Sequence, residues 1–402
     1  MSKNQEIIDK TEKYALHVYN RFPIAVDHGE GVRVWDADGK EYLDFMAGIA
    51  VYALGYHFPG YDEALIDQTK KILHTSNLYY HQPLADAAEN VCKATGMDKV
   101  FFTNSGAEAI EGALKTARKY AYLKDGKNDH EIIAMKDSFH GRSVGALSVT
   151  GNAHYQDPFK PLMGGVRFAE YNHIDSVKEQ VNDRTCAIIM ETIQGEGGIF
   201  PADPAFIKEV RKICDEKDIL LILDEIQCGM GRSGSLFAYD LYGVKPDVVT
   251  MAKALGCGVP VGAFAVNEKV AKNSLVPGDH GTTYGGNPFV LAAVNAVFDL
   301  FEKNDIVGHV QKTAPYLTKS LEDFKARHPE AVKARRGVGF IQGLAFDESV
   351  PVGQICTKAL DKGLLIISAS HNTLRFVPPL IITEKEIDEA MGILDEVLEE
   401  LG

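Results

Sequence analysis

Two apolar runs in this chain end in residues able to do chemistry. ILLILDE (219–225) closes on Asp224-Glu225, and DVVTMAK (247–253) closes on Lys253. In open parallel sheets, ligands bind beyond the carboxyl ends of strands. An acid there serves as a metal ligand, a hydrogen-bond anchor or a salt-bridge partner. A lysine at the inner end of a buried strand is costly unless it is paired, neutralised or able to snorkel to solvent. Together, Asp224 and Lys253 meet two needs of a pyridoxal phosphate site. The cofactor takes a lysine for its Schiff base and an acid that keeps its pyridine nitrogen protonated.

Such a cofactor also needs a phosphate cradle. FFTNSGAEA (101–109) places Ser105, Gly106 and Ala107 between a strand and a helix start. Free backbone N–H groups and the positive helix end face an anion there. The same residues also read as a plain N-cap serine with a turn glycine. KDSFHGRSVGALS (136–148) adds Phe139, His140 and Arg142. A flat aromatic can stack on a flat ring, and an arginine can take a carboxylate in a two-pronged pair. The competing reading is a tucked-in aromatic and a surface arginine. His140 has no partner at metal-ligand spacing and reads as a packing residue. METIQGEGGIF (190–200) holds Glu191 and Glu196 around a glycine-rich turn, and DHGTTYGGNP (279–288) holds Thr282 and Thr283 before glycines. Threonine hydroxyls can donate to a phosphate or serve turn chemistry.

The elements that carry these residues alternate strand and helix, which argues for an α/β fold. KVFFTN, EIIAMK, GVRFAEY, CAIIME, ILLILDE, DVVTMAK and GAFAVN are apolar nearly throughout. Continuous apolar strands mark a mainly parallel sheet covered on both faces. Residues 106–124, 60–75, 83–95, 288–303 and 308–327 read as helices, and 5–20 as an N-terminal one. GVRVWDADGKEYLDF (31–45) reads as a hairpin about an Asp-Ala-Asp-Gly turn. Short strands are expected at 337–346, 364–368 and 373–378. The expected division is a large domain over 55–285 and a smaller α+β domain made of 1–54 and 286–402.

The chain has 402 residues, 45% hydrophobic and 24% charged, which excludes disordered and disulfide-scaffold classes. Its net charge of −14 disfavours nucleic acid and anionic membranes as partners. No apolar run approaches the roughly 18 residues of a membrane span. The N-terminal stretch lacks an apolar signal core. Cys92, Cys186, Cys214, Cys228, Cys257 and Cys356 are scattered without a CxxC pair. Reduced thiols and a cytoplasmic setting are expected, with no metal site. No GxxxxGK[ST] occurs, so a P-loop is excluded. GMGRSG (229–234) has dinucleotide-loop spacing but follows an acidic strand end, and no βαβ unit closes around it.

The order of these motifs resembles the class III aminotransferases of pyridoxal phosphate fold type I, nearest their acetylornithine and ornithine branch. YLDFMAGIAV, FFTNSGAEAIEGALKTAR, SFHGRS, ETIQGEGGI, LILDEIQCGMGRSG, MAKALGCGVPVGAF, HGTTYGGNP and LRFVPPL carry the resemblance along nearly the whole chain.

The resemblance implies roles. Lys253 carries the Schiff base and Asp224 pairs with the ring nitrogen. Gln227 faces the phenolic oxygen side. Ser105, Gly106 and Ala107 hold the phosphate, Phe139 stacks on the ring, and Thr283 reaches the phosphate of a partner subunit in a homodimer. Arg142 holds the substrate carboxylate with Thr282 nearby, and Tyr19 touches substrate from the N-terminus. Glu191 forms part of the pocket wall. Glu196 masks Arg375 while an ω-amino donor reacts, then frees it for 2-oxoglutarate.

N-acetylornithine is the donor expected. Ornithine, succinylornithine and 4-aminobutyrate are alternatives on the same scaffold, and a decarboxylase or aminomutase is a more distant one. Three positions depart from the family pattern: Tyr52 and Tyr56, usually Asn and His, and Ile110, usually Asn.

Overall fold

The structure, a computed structural model, describes residues 1–401. All seven apolar runs form strands of one sheet. Its spatial order is Lys99–Thr103, Gly262–Val266, Val248–Met251, Leu220–Asp224, Thr185–Glu191, Glu131–Met135 and Val166–Ala169. Gly262–Val266 pairs antiparallel with both neighbours, and the remaining pairs are parallel. The four strands from Glu131–Met135 to Val248–Met251 in that row are buried at every position. Water never reaches either face, so no alternation is needed and the sequence shows none.

Register decides where the chemistry lies. Asp224 stands opposite Glu191 on one side and Thr250 on the other. Lys253 follows Thr250 by one short turn, so all three groups meet at the carboxyl edge. The helix Gly106–Asp125 covers one face. Ser105 caps it, accepting from the Glu108 amide at 3.2 Å, and Gly126 ends it in the left-handed region. Ile110, Ala113, Leu114 and Ala117 pack with Ile132, Ile189, Ile222 and Phe264 of the sheet. Gly112 lets the helix close on the sheet, because a Cβ there would lie 2.2 Å from the Phe264 ring.

The other face carries a larger apolar cluster that runs into the C-terminal helices. Pro288–Lys303 packs on Tyr61–Thr69 and Gln82–Thr95, and Ile306–Arg327 packs on Glu384–Leu401. Two four-stranded sheets flank this core. In one, Leu364–Leu365 pairs parallel with Glu41–Asp44 of the N-terminal hairpin, joining the two chain ends. Among the described residues, no helix is long and apolar enough to cross a membrane.

Several expectations change in detail. The first helix stops at Tyr14 rather than 20. It buries no residue, and Tyr14, Leu16 and Val18 then alternate as extended chain does. The run 337–346 becomes a hairpin, Val332–Val338 with Ile341–Phe346, because Gly337 and Gly339 at φ 95° and 57° turn the chain. The run 364–368 splits between two sheets, as Ile367–Ala369 pairs with Thr373–Phe376. GMGRSG holds no ligand cradle: it folds around Arg232, a fully buried side chain whose Nη1 donates to Phe340 O and Pro378 O at 3.1 and 2.7 Å.

Candidate active site

A cavity of about 410 Å³ opens at the carboxyl edge of the sheet. Asp224 and Lys253 both line it. Asp224 is buried and held from three sides. The Ile226 amide and Thr250 Oγ1 donate to its Oδ1 at 3.0 and 3.1 Å, and His140 Nδ1 meets its Oδ2 at 2.7 Å. His140 is therefore more than a packing residue. Its ring is fully buried and its Nε2 has no partner among the described residues. A neutral ring donating from Nδ1 leaves Nε2 as a bare acceptor, a cheaper state than an unpaired buried N–H. Glu225 points elsewhere. It accepts from Thr192 Oγ1 and the Ala238 amide at 2.6 and 2.7 Å, and burial pushes its carboxyl up to about 7.

Lys253 sits at φ 47°, a left-handed conformation rare outside glycine. Its amine has no hydrogen-bond partner among the described residues. Burial pulls its pKa down to about 8, with the charges of Glu196 and Asp224 opposing that pull and Arg375 adding to it. Across the cavity stand Ser105, Gly106 and Ala107. As the first two helical residues, Gly106 and Ala107 have amides that no helical carbonyl can satisfy. The cradle rests on Gly262, where a Cβ would lie 2.2 Å from Ser105 O.

Around this centre lie Phe139 and Ile226, both lining the cavity, and Glu191, whose carboxyl accepts from the Phe139 amide at 3.3 Å. Burial, and then the Asp224 charge, raise the Glu191 carboxyl well above the usual range. Arg375 is 1% exposed and donates to Glu196 Oε1 at 2.5 Å and Gln227 Oε1 at 3.1 Å. Gln227 Nε2 donates back to Glu196 at 3.3 Å. Burial pushes the Glu196 carboxyl up, but Arg375 and then Lys253 pull harder, so it ends below its ordinary value. Glu196 is thus a carboxylate held over a buried guanidinium.

A family model described as class-III aminotransferase matches residues 14–398. The chain belongs to the class-III aminotransferases. This aminotransferase is 49% identical over 395 residues to a Caldanaerobacter subterraneus protein named acetylornithine aminotransferase, covering 98% of this chain and 100% of that one. A protein of the same name from Clostridium acetobutylicum is 46% identical, with 96% and 99% covered. Its fold is similar to a Toxoplasma gondii ornithine aminotransferase at TM-score 0.95, 28% identity and coverage of 100% and 96%. It is also similar to an N-acetylornithine aminotransferase of Stenotrophomonas maltophilia at TM-score 0.84, 34% identity and coverage of 98% and 99%. The fold is that of the type I pyridoxal phosphate enzymes, and pyridoxal 5′-phosphate is the cofactor.

The residues of this aminotransferase fit that cofactor. The cavity has the size of a small-molecule site. It offers an unpaired amine, a buried carboxylate on the adjacent strand and two free helix-start amides for an anion. Other residues named from the sequence lie further out. Arg142 is exposed beside Phe139, and Thr282 Oγ1 accepts from Asn104 Nδ2 at 3.0 Å. Thr283 is exposed outside the cavity of its own chain, and Tyr19 is 68% exposed. Ile226 carries no sequence signal, since a pocket-facing isoleucine looks like any core one.

The three departures have separate accounts. Ile110 is fully buried in the helix–sheet core, away from the cavity. Tyr52 and Tyr56 pack on each other, with ring centroids 4.4 Å apart. The Tyr56 hydroxyl donates to Asp44 at 2.8 Å. The two exchanges are accommodated as a pair.

The lowered lysine has a measurable consequence. At pH 7 a lysine with pKa about 8 is neutral about one time in ten, against well under one in a thousand for an ordinary lysine. The cofactor-free aminotransferase should capture pyridoxal phosphate covalently at a rate that rises with pH and levels off above about 8. Stopped-flow absorbance reads this. A rate still climbing towards pH 10.5 would contradict the environment described for Lys253.

Proposed function

We propose that this chain moves the terminal amino group of N2-acetyl-L-ornithine to 2-oxoglutarate, in arginine biosynthesis. The products are N-acetylglutamate 5-semialdehyde and L-glutamate. The observation that carries the reading is the buried Arg375 covered by Glu196 beside Lys253. At its reacting carbon an ω-amino donor carries only hydrogen where 2-oxoglutarate carries its α-carboxylate. A carboxylate-masked arginine serves both in turn. The choice of donor is supported by relatives of that name at 40–49% identity over nearly the full length. The higher TM-score to an ornithine enzyme reflects overall fold and does not choose between donors.

When bound, pyridoxal phosphate supplies an electron sink for the donor carbon that loses its proton. The chain's residues do the rest. Ser105 and the Gly106 and Ala107 amides hold the phosphate end. Asp224, fixed by His140, Thr250 and the Ile226 amide, keeps a proton on the ring nitrogen. Phe139 fixes the ring plane. With the cofactor bound, the Lys253 amine would take the proton from the amine-bearing carbon of the donor and hold it at Nζ. Arg142 holds the donor's α-carboxylate, with Thr282 and Tyr19 nearby. Glu196 then swings aside, and Arg375 takes the α-carboxylate of 2-oxoglutarate.

The active unit in this reading is a cytoplasmic homodimer. Leu78, Tyr79 and Tyr80 form an exposed apolar run, and neighbouring Asn77 donates to Thr282 O and Gly285 O at 3.0 Å each. The loop carrying Thr283 is thus tied to an apolar patch of the kind that marks interfaces. We also read 55–285 as the cofactor domain, and 1–54 with 286–402 as the small domain.

Initial rates with 2-oxoglutarate and each of N-acetylornithine, ornithine, succinylornithine and 4-aminobutyrate test the donor. The kcat/KM for N-acetylornithine should exceed the others by about tenfold or more. A higher value for any other donor overturns the assignment.

A further inference from the structure

Arg142 is unusual in its surroundings. In a chain with 56 acids and 42 bases, its guanidinium has no ion pair and no hydrogen bond among the described residues. What holds it is aromatic. Its guanidinium carbon lies 3.8 Å from the centre of the Tyr155 ring and 5.4 Å from that of Phe139. Tyr155 in turn meets Phe139 edge to face, with centroids 6.2 Å apart and planes at 84°. The guanidinium thus lies over both rings, and Phe139 carries the group to the cavity that it lines.

A guanidinium lying on a ring keeps its in-plane N–H donors free. An acidic partner would fix the same side chain but consume those donors. The stack therefore orients Arg142 and leaves its fork open for a carboxylate. Without the ring, a side chain this exposed would spread over many rotamers and lose entropy on each binding event. Tyr155 lies on the short helix Ala153–Gln156, whose Gln156 Nε2 donates to Leu147 O, Ser148 O and Thr150 O at 3.0, 3.2 and 2.9 Å. Those bonds seat the helix against the Val144–Ser148 segment that follows Arg142.

We propose that Tyr155 is a positioning residue for substrate recognition: its ring face pre-orients Arg142 for the donor's α-carboxylate, and so sets the preference for carboxylate-bearing donors. The proposal rests on the reading of Arg142 as the carboxylate holder. It adds the residue that makes that arginine selective, and it couples substrate recognition to Phe139.

The test uses the loaded dimer and two donors that differ by one carboxylate, N-acetylornithine and N-acetylputrescine. Tyr155→Leu and Tyr155→Met remove the ring face, Tyr155→Phe keeps it, and Arg142→Gln removes the cation. An unchanged cofactor absorption band and thermal midpoint mark each variant as folded and loaded. A stack at a solvent-facing site has an expected effect of about fivefold. Tyr155→Leu and Tyr155→Met should raise KM for N-acetylornithine by about that factor and leave kcat and the N-acetylputrescine rate unchanged. Tyr155→Phe should match the wild type, and Arg142→Gln should give a larger loss confined to N-acetylornithine. If Arg142→Gln is selective while the Leu and Met variants affect both donors equally, or neither, the proposal fails and the reading of Arg142 stands. If Arg142→Gln itself is unselective, that reading falls and takes the proposal with it.

Discussion

Lys253→Ala should lower turnover by at least about 10³-fold and abolish covalent capture of the cofactor. Two losses combine. The amine that tethers pyridoxal phosphate is gone, and so is the group that moves the proton at the donor carbon. The phosphate cradle of Ser105, Gly106 and Ala107 remains, so the cofactor should still bind, now without a bond to the chain. Borohydride reduction followed by mass measurement distinguishes the two states: wild type gains the cofactor mass and the variant does not. The loss should not come from unfolding. Burial holds the folded-state pKa of Lys253 at about 8, below its ordinary 10.5. For this group the cost to the fold is greatest below pH 8 and fades as pH rises towards 10.5. At pH 7 the cofactor-free variant should therefore melt at or above the wild-type temperature. A lower melting point with retained activity would contradict both parts.

Asp224→Asn is expected to separate attachment from catalysis. Lys253 is untouched, so the cofactor should still bind covalently. The negative charge at the base of the cavity is lost, and kcat should fall by about 10²–10³-fold, the scale of removing one preorganised electrostatic partner. The geometry sharpens the expectation. An asparagine can still accept from Thr250 and the Ile226 amide through its oxygen. Its amide nitrogen then faces His140 Nδ1, where a donor meets a donor unless the ring changes tautomer. Turnover within tenfold of wild type would mean that Asp224 is a structural anchor alone.

The inner strands of the central sheet are legible because burial on both faces writes itself as an unbroken apolar run, while the edge strands Lys99–Thr103 and Val166–Ala169 are only partly buried. The strand Val332–Val338 was only partly anticipated, since VKARRGV is charged and half exposed. Lys253 and Asp224 stood out because each ends such a run, and strand ends are where sheets place ligands. The bond between His140 and Asp224 spans 84 residues, and the pair of Glu196 and Arg375 spans 179. No local pattern encodes contacts of that kind. Motif order made Glu196 and Arg375 visible through resemblance. His140 reads as packing in the sequence because it lies in a loop and its partner ends a strand far along the chain. Tyr155 was invisible for a related reason: its role depends on which side chain lies across its face.

One measurement tests the account most directly. The loaded enzyme is mixed with N-acetylornithine in the absence of 2-oxoglutarate, and absorbance is followed through one turnover. The lysine-bound cofactor signal should disappear in a single step, one equivalent of aldehyde should form, and 2-oxoglutarate added afterwards should restore the signal with release of glutamate. A signal that does not change, or one that 2-oxoglutarate fails to restore, would contradict the assignment of Lys253, Asp224 and the Glu196–Arg375 pair to amino-group transfer from this donor.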